Sequence, residues 1–184
     1  MKRLFSVLFS CFLILWACSC GSVPKESNKD NWVQLKPGEL LSAEEVASIA
    51  GYQPVMEETL ARQKSTVVYQ SDPVGASDPV IVDVYQYNGR TSEALIRQQY
   101  EEWKEKRPSS QEIDGFIGVD AFLAYPSLHL YKDGIHVVIT AGSGSDETQA
   151  DLLQRLAVPV LEHLNAFLEQ HPTDHDLAGD LIKT

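Results

Sequence analysis

The sequence predicts an α+β domain: a mostly antiparallel sheet of about six strands, with N-terminal, middle and C-terminal helices packed on one face. Three observations predict it. Apolar residues recur every three to four positions in three separated stretches, near residues 43–50, 92–106 and 146–169. Between them lie short runs rich in β-branched and aromatic residues, bounded by Gly, Pro, Asn and Asp. Asp133-Gly134 joins two such runs directly, as in a hairpin, and the chain has too few helical crossovers for a parallel sheet. The order is helix, three strands, helix, three strands, helix.

The first helix is marked at its start. Ser42-Ala43-Glu44-Glu45 has the form of a capping box, in which the Ser and Glu side chains each satisfy a backbone N–H of the first turn. Val46, Ile49 and Ala50 form its apolar face and Gly51 ends it. Strands are expected near 54–60, 65–70 and 79–87. In the last, Val80, Val82 and Val84 share one face, and Ile81, Asp83, Tyr85 and Tyr87 share the other. The intervening segment 71–79 carries Asp72-Pro73, Gly75 and Asp78-Pro79 and reads as a loop.

Asn88-Gly89 ends that strand, and Thr91 or Ser92 caps a middle helix running to about Lys106. Ile96, Tyr100 and Trp103 lie on one stripe of it, read as core rather than as an aromatic box. Arg107-Pro108 stops it. A short strand follows within 114–125, and the hairpin pairs Ser127–Lys132 with Ile135–Thr140. After Gly142-Ser143-Gly144-Ser145, a long helix carries the stripe Leu153, Leu156, Val160, Leu161, Leu164, Phe167 and Leu168, with Pro159 inside as an expected kink.

The N-terminus has a different character. Lys2 and Arg3 are the only charges before Lys25, and residues 4–17 are apolar apart from Ser6 and Ser10. That length suits the hydrophobic region of a signal peptide and falls short of a membrane span, which needs about 20 apolar residues. Leu15-Trp16-Ala17-Cys18 follows directly. This resembles the lipobox of bacterial lipoproteins, with Leu15, Ala17 and Cys18 at the matching positions. The resemblance implies that Cys18 is acylated and becomes the mature N-terminus. Trp16 departs from the pattern, which leaves a second register, Ala17-Cys18-Ser19-Cys20, with Cys20 as the lipidated residue. Two or three acyl chains hold such a protein on its membrane, since each buried methylene contributes about 0.8 kcal/mol.

The organisation expected is therefore a signal peptide over 1–17, the lipidated Cys and a flexible stalk over 18–37, one globular domain over 38–170 and a polar tail over 171–184. The chain carries a formal charge of −11; losing Lys2 and Arg3 leaves 13 basic against 26 acidic residues, or −13. Such an excess excludes nucleic acid and disfavours flat contact with anionic headgroups. All three cysteines, Cys11, Cys18 and Cys20, lie in the first twenty residues, so the domain works without thiol chemistry or disulfide staples.

Leu41-Ser42-Ala43-Glu44-Glu45-Val46, Gly118-Val119-Asp120-Ala121-Phe122, the hairpin and the closing amphipathic helix together resemble small extracytoplasmic lipoprotein domains of Gram-positive bacteria. They are similar in layout to the extracellular sensor domains of some membrane kinases. The resemblance spans roughly residues 40–168. The segment Gly115-Phe116-Ile117-Gly118-Val119-Asp120-Ala121 departs from the Gly-x-Gly-Asp-x-Ala of many such domains. It brings no catalytic residues and implies a binding or sensing role.

The hairpin holds the leading site candidate. With a two-residue turn at Asp133-Gly134, Tyr131 opposes His136 and His129 opposes Val138. His129, Tyr131 and His136 then share one face, opposite Leu128, Leu130, Val137 and Ile139. Two imidazoles and a phenol within cross-strand reach suit a small ligand or a metal; the alternative is a plain solvent-facing strand surface. Three other features weigh less. His171 to Asp176 has metal-type side chains without fixed ligand spacing, and reads as a solvated tail. Gly142 to Ser145 has no Gly-Lys-Ser/Thr ending, and reads as a turn with Ser145 as the cap. Asp72 and Asp78 sit in a Pro-rich loop with nothing to pair them as acid and base.

No metal and no cofactor is expected. The function expected is that of a non-enzymatic accessory or sensor domain. It would be lipid-anchored on the extracytoplasmic face of the cell membrane and contact another envelope protein. The alternatives are a small-molecule or peptide-binding lipoprotein and, third, a small hydrolase of envelope polymers.

Overall fold

The structure is a computed structural model and describes residues 33–86, 93–142 and 147–172. In chain order its elements begin with α1 (Pro37–Leu40), α2 (Ala43–Ala50), β1 (Pro54–Thr59), β2 (Ser65–Ser71) and β3 (Val80–Gln86). They continue with α3 (Glu93–Glu105), β4 (Gln111–Glu112), β5 (Asp120–Ala124), β6 (Ser127–Lys132), β7 (Ile135–Ala141) and α4 (Glu147–Gln170). The strands form one antiparallel sheet in the order β1-β2-β3-β7-β6-β5-β4. It is two meanders joined at the β3–β7 pair, and α3 carries the chain from the middle of the sheet towards its far edge. The α+β class and the three helical regions agree with the sequence. The seventh strand is β4, two exposed residues that periodicity cannot detect.

One face of the sheet carries Val67, Tyr69, Val80, Val82, Val84, Leu128, Leu130, Val137 and Ile139, all buried. Helices α1, α2 and α4 cover it. The stripe of α4 buries Leu153, Leu156, Ala157, Val160 and Leu164, at helical spacing. Pro159 lies within α4, whose helical span continues unbroken to Gln170.

The middle helix departs from the expected arrangement. It packs on the opposite face, where Ile96 and Tyr100 meet Tyr85, Phe122, Ala124, Tyr131 and Val138, with Trp103 against them. The helices therefore lie on both faces of the sheet and not on one. The reason is visible in the central strands: β7 is buried at six of its seven positions and β6 at four of six. Strands that are apolar on both sides need cover on both sides, and the Ile96–Tyr100–Trp103 stripe supplies the second layer.

The local signals behave as their chemistry requires. Ser42 Oγ accepts from Glu45 N–H at 3.2 Å while Glu45 Oε2 accepts from Ser42 N–H at 2.7 Å, closing the capping box. Gly51, at φ 80°, ends α2 in the left-handed conformation and donates its N–H to Ala47 C=O. Asp133 and Gly134 both have positive φ, 44° and 79°, as a two-residue primed hairpin turn demands.

The folded unit also starts earlier than composition suggests. Residues 33–37, read as stalk from their polarity, are tied to the domain, with Leu35 and Pro37 buried. Leu35 is buried, and its N–H donates to Gln86 Oε1 at 2.9 Å while Gln86 Nε2 donates to Val33 C=O at 2.9 Å. The Gln86 side-chain amide thus takes both a donor and an acceptor role against extended backbone. The Tyr69 hydroxyl, buried beneath α1 and α2, donates to Leu41 C=O and ties that corner to the sheet. Tyr87, the expected cap at Thr91 or Ser92, Ser143 to Ser145, and residues 173–184 lie outside the described residues. So do the expected signal peptide, Cys18 and Cys20.

Candidate functional site

The hairpin register is the one expected: Tyr131 opposes His136 and His129 opposes Val138. The structure brings His129, Tyr131 and His136 to one face, but that face is not wet. Both imidazoles are wholly buried beneath α3, and Tyr131 is nearly so.

The two histidines belong to a row of four rings running across the sheet. Tyr85 on β3 stacks on His136 on β7 at 5.3 Å between centroids, and His136 stacks on His129 on β6 at 5.3 Å. His129 then stacks on Phe122 on β5 at 4.3 Å and 8° between planes. Direct cross-strand pairing sets the outer two steps, Tyr85 with His136 and Phe122 with His129; the central step is the diagonal between neighbouring strands. Helix α3 closes the row from above. Tyr100 stands edge-on to His136 at 5.3 Å, and Trp103 lies 5.1 Å from His129. The Arg97 and Arg107 guanidinium groups sit over Tyr131 and Trp103, at 4.8 and 4.4 Å from their ring centroids. Arg97 is held there by Asp120 and Glu101.

Within the row, His129 Nδ1 and His136 Nε2 are 3.1 Å apart and share one hydrogen bond. The other two ring nitrogens, His129 Nε2 and His136 Nδ1, are buried and find no hydrogen-bond partner among the described residues. Each neutral imidazole has one N–H and one lone pair. Whichever ring donates across the pair, one buried N–H and one buried lone pair stay unsatisfied. Burial pushes both pKa values down to about 3; for His129 the neighbouring His136 and Arg107 add to the effect. The pair is therefore neutral at ordinary pH. Burial likewise raises the pKa of Tyr85, Tyr100 and Tyr131.

This arrangement bears directly on a ligand or metal at His129, Tyr131 and His136. The two nearest nitrogens are spent on each other, and neither ring faces solvent. Among the described residues no group of three or more His, Cys, Asp or Glu side chains converges as a metal requires. A hollow lined in part by Gln34, Leu35, Arg62, Ser65 and Gln86 holds about 160 Å³ of space with open solvent included. Small-molecule sites occupy roughly 300–1,000 Å³. Sequence reasoning found the histidines and the α3 stripe separately. It missed Tyr85 and Phe122 as the ends of the row, and it missed that the stripe is the cover of the histidine face. The missed signal was that a face bearing Tyr85, Phe122, Tyr131 and Val138 is too apolar to stay wet.

The two sheet edges differ sharply. At one end β4 is two residues long and its Glu112 is engaged by Lys104. At the other, β1 is six residues long and largely exposed, with Val55 at 57%, Met56 at 48% and the following Leu60 at 45%. Among the described strands its backbone pairs only with β2. No other backbone hydrogen bond reaches residues 54–59 from the described residues. Among the described residues no helix is long and apolar enough to cross a membrane. No protein-family model, curated protein or solved structure matches this chain.

Proposed function

We propose that this chain is a lipoprotein anchored on the extracytoplasmic face of the cell membrane, and that its domain is a non-enzymatic accessory or sensor module contacting another envelope protein. The anchor rests on Leu15-Trp16-Ala17-Cys18 placed directly behind a basic and then apolar N-terminus. From Cys18 to Val33 the chain can span at most about 50 Å, enough to bring the domain to a neighbouring envelope protein. The strongly acidic composition favours standing off an anionic bilayer.

The observation that carries the binding role is β1, a long edge strand with Val55, Met56 and Leu60 exposed along it. Natural proteins shield such edges with lysines, bulges, prolines or short strands. Here the β4 edge is kept short, while β1 keeps six residues, with Pro54 at its first position and the charges of Glu57 and Glu58 along it. A small-molecule or peptide-binding role is the second reading, and the peptide form of it would use this same edge. A small envelope hydrolase is the third, and no nucleophile–base pair among the described residues supports it.

The test is in-cell crosslinking of the tagged, lipidated protein followed by mass spectrometry of what copurifies. One specific envelope protein, lost on Val55→Lys with Met56→Lys, is the result expected. Recovery of no protein at all overturns the accessory reading and favours a small ligand.

A further inference from the structure

The partner's chemistry at β1 can be read from the strand itself; this rests on the accessory reading above. The outer edge of β1 leaves its outward backbone N–H and C=O groups without a protein partner among the described residues. Such a row is satisfied best by another extended strand, which gains main-chain hydrogen bonds along its length. The strand reads Pro54-Val55-Met56-Glu57-Glu58-Thr59. Glu57 is exposed and stands opposite Val68 on β2. Glu58 opposes Val67 and accepts the Gly38 N–H at 2.8 Å, which fixes its carboxylate beside the strand. The edge therefore presents two carboxylates on opposite faces, with apolar Val55 and Met56 next to them. No lysine or arginine lies within it.

A second copy of this chain is a poor occupant. An antiparallel two-fold pairing centred on Glu57 sets that carboxylate against its own copy. Moving the centre half a residue one way sets Glu57 against Glu58; half a residue the other way leaves them on the diagonal. Like charges at those positions are destabilising. Two acidic domains repel at longer range as well. The same carboxylates favour a strand with lysine or arginine at two consecutive positions, one on each face, because opposite charges across a strand pair attract. Glutamates here work as selection: they oppose self-pairing and admit a basic strand.

We infer that β1 is the docking edge for an extended, basic segment of an envelope protein, which adds to the sheet as an eighth strand. The acidic edge speeds encounter, and the exposed Val55 and Met56 pack against the alternate side chains of the added strand.

The experiment places a photoreactive amino acid at Val55 in the full-length, lipidated chain, with Val158 on the exposed side of α4 as the control position. Crosslinking is done in the cells that make the protein, and the crosslinked peptide is identified by mass spectrometry. The result expected is a peptide of another envelope protein carrying Lys or Arg at two consecutive positions. It is captured at Val55 and not at Val158, and several-fold less in a Glu57→Lys background or at high salt. Glu57 is exposed and Glu57→Lys leaves the Glu58–Gly38 bond in place, so this variant folds; an unchanged thermal midpoint checks that. Four outcomes overturn the inference. Capture of the same protein only through Val158 overturns the β1 site and leaves the accessory reading standing. Capture at Val55 of an acidic or uncharged segment, indifferent to Glu57→Lys, overturns the basic chemistry alone. A crosslink from Val55 to a second copy of this chain overturns the choice of occupant. No protein captured at either position overturns the accessory reading itself.

Discussion

His129 Nδ1 and His136 Nε2 meet at 3.1 Å on neighbouring strands, inside a row of rings, with neither imidazole exposed to solvent. Among the described residues no carboxylate hydrogen-bonds to either ring. Folding therefore holds both rings neutral, and stability follows the proton.

Burial lowers both pKa values to about 3, against about 6.5 for an exposed histidine. Below pH 6.5 the unfolded chain binds protons that the folded chain refuses. Stability is thus complete above about pH 6.5 and lost as pH falls from there towards 3, at up to about 1.4 kcal/mol per pH unit for each ring. Urea midpoints at pH 7.5, 6.5, 5.5 and 4.5 should fall from the second value onwards. In His129→Phe/His136→Leu the fall between pH 6.5 and 5.5 should largely vanish. A wild-type midpoint that is flat over that interval contradicts a buried neutral pair.

The same pair should be non-additive. His136→Leu alone strands His129 Nδ1 in an apolar site and should cost about 1–3 kcal/mol. Replacing both rings with apolar ones removes the stranded group, so the double variant should lose less than the two single losses combined, by at least about 0.5 kcal/mol. Strict additivity in a denaturant-based mutant cycle would show that the hydrogen bond contributes nothing.

Removing the cover should expose what it hides. Tyr100 is buried and touches His136, Phe122 and Tyr131. Tyr100→Ala should cost about 3–5 kcal/mol. It should also raise the pKa of His136, read from its ring-proton shifts by NMR, because water then reaches the ring. An unmoved titration would mean that the sheet alone buries the pair.

Two single-atom or near single-atom changes test the corner beneath α1 and α2. Tyr69→Phe removes the hydroxyl that donates to Leu41 C=O and leaves a buried carbonyl unpaired, a loss of about 1–3 kcal/mol. Ser42→Ala opens the capping box of α2, a loss of about 1 kcal/mol. Chemical denaturation measures both, and losses below about 0.3 kcal/mol would remove these contacts from the account of the fold.

The anchor is tested by labelling cells with a radioactive or clickable fatty acid. Cys18→Ser should abolish incorporation and release the protein from the membrane fraction, while Cys20→Ser leaves both unchanged. The reverse pattern would place the lipid on Cys20. Incorporation that survives the double substitution would refute a lipobox altogether.

Much of the fold was legible because its signals are local. The capping box at Ser42 and Glu45, the paired positive-φ turn at Asp133-Gly134 and the alternation of β3 each depend on residues a few positions apart. The stripe of α4 could be read for the same reason. From the hairpin register alone, His129, Tyr131 and His136 had to share a face. What stayed illegible was non-local. β4 is too short to show a period, and the packing of Leu35 depends on Gln86, 51 residues away.

By itself, then, the sequence determined the types of the longer elements, the hairpin register, the acidic and disulfide-free character of the domain, and the expectation of an export and lipid signal at Cys18. Only the tertiary structure decided which side of the sheet α3 covers, and with it whether His129 and His136 face water or each other. Periodicity fixes which residues of a helix share a stripe and which residues of a strand share a face. It holds no information about which stripe meets which face, because that choice depends on how the chain crosses the sheet and on how much apolar area each crossing removes from water.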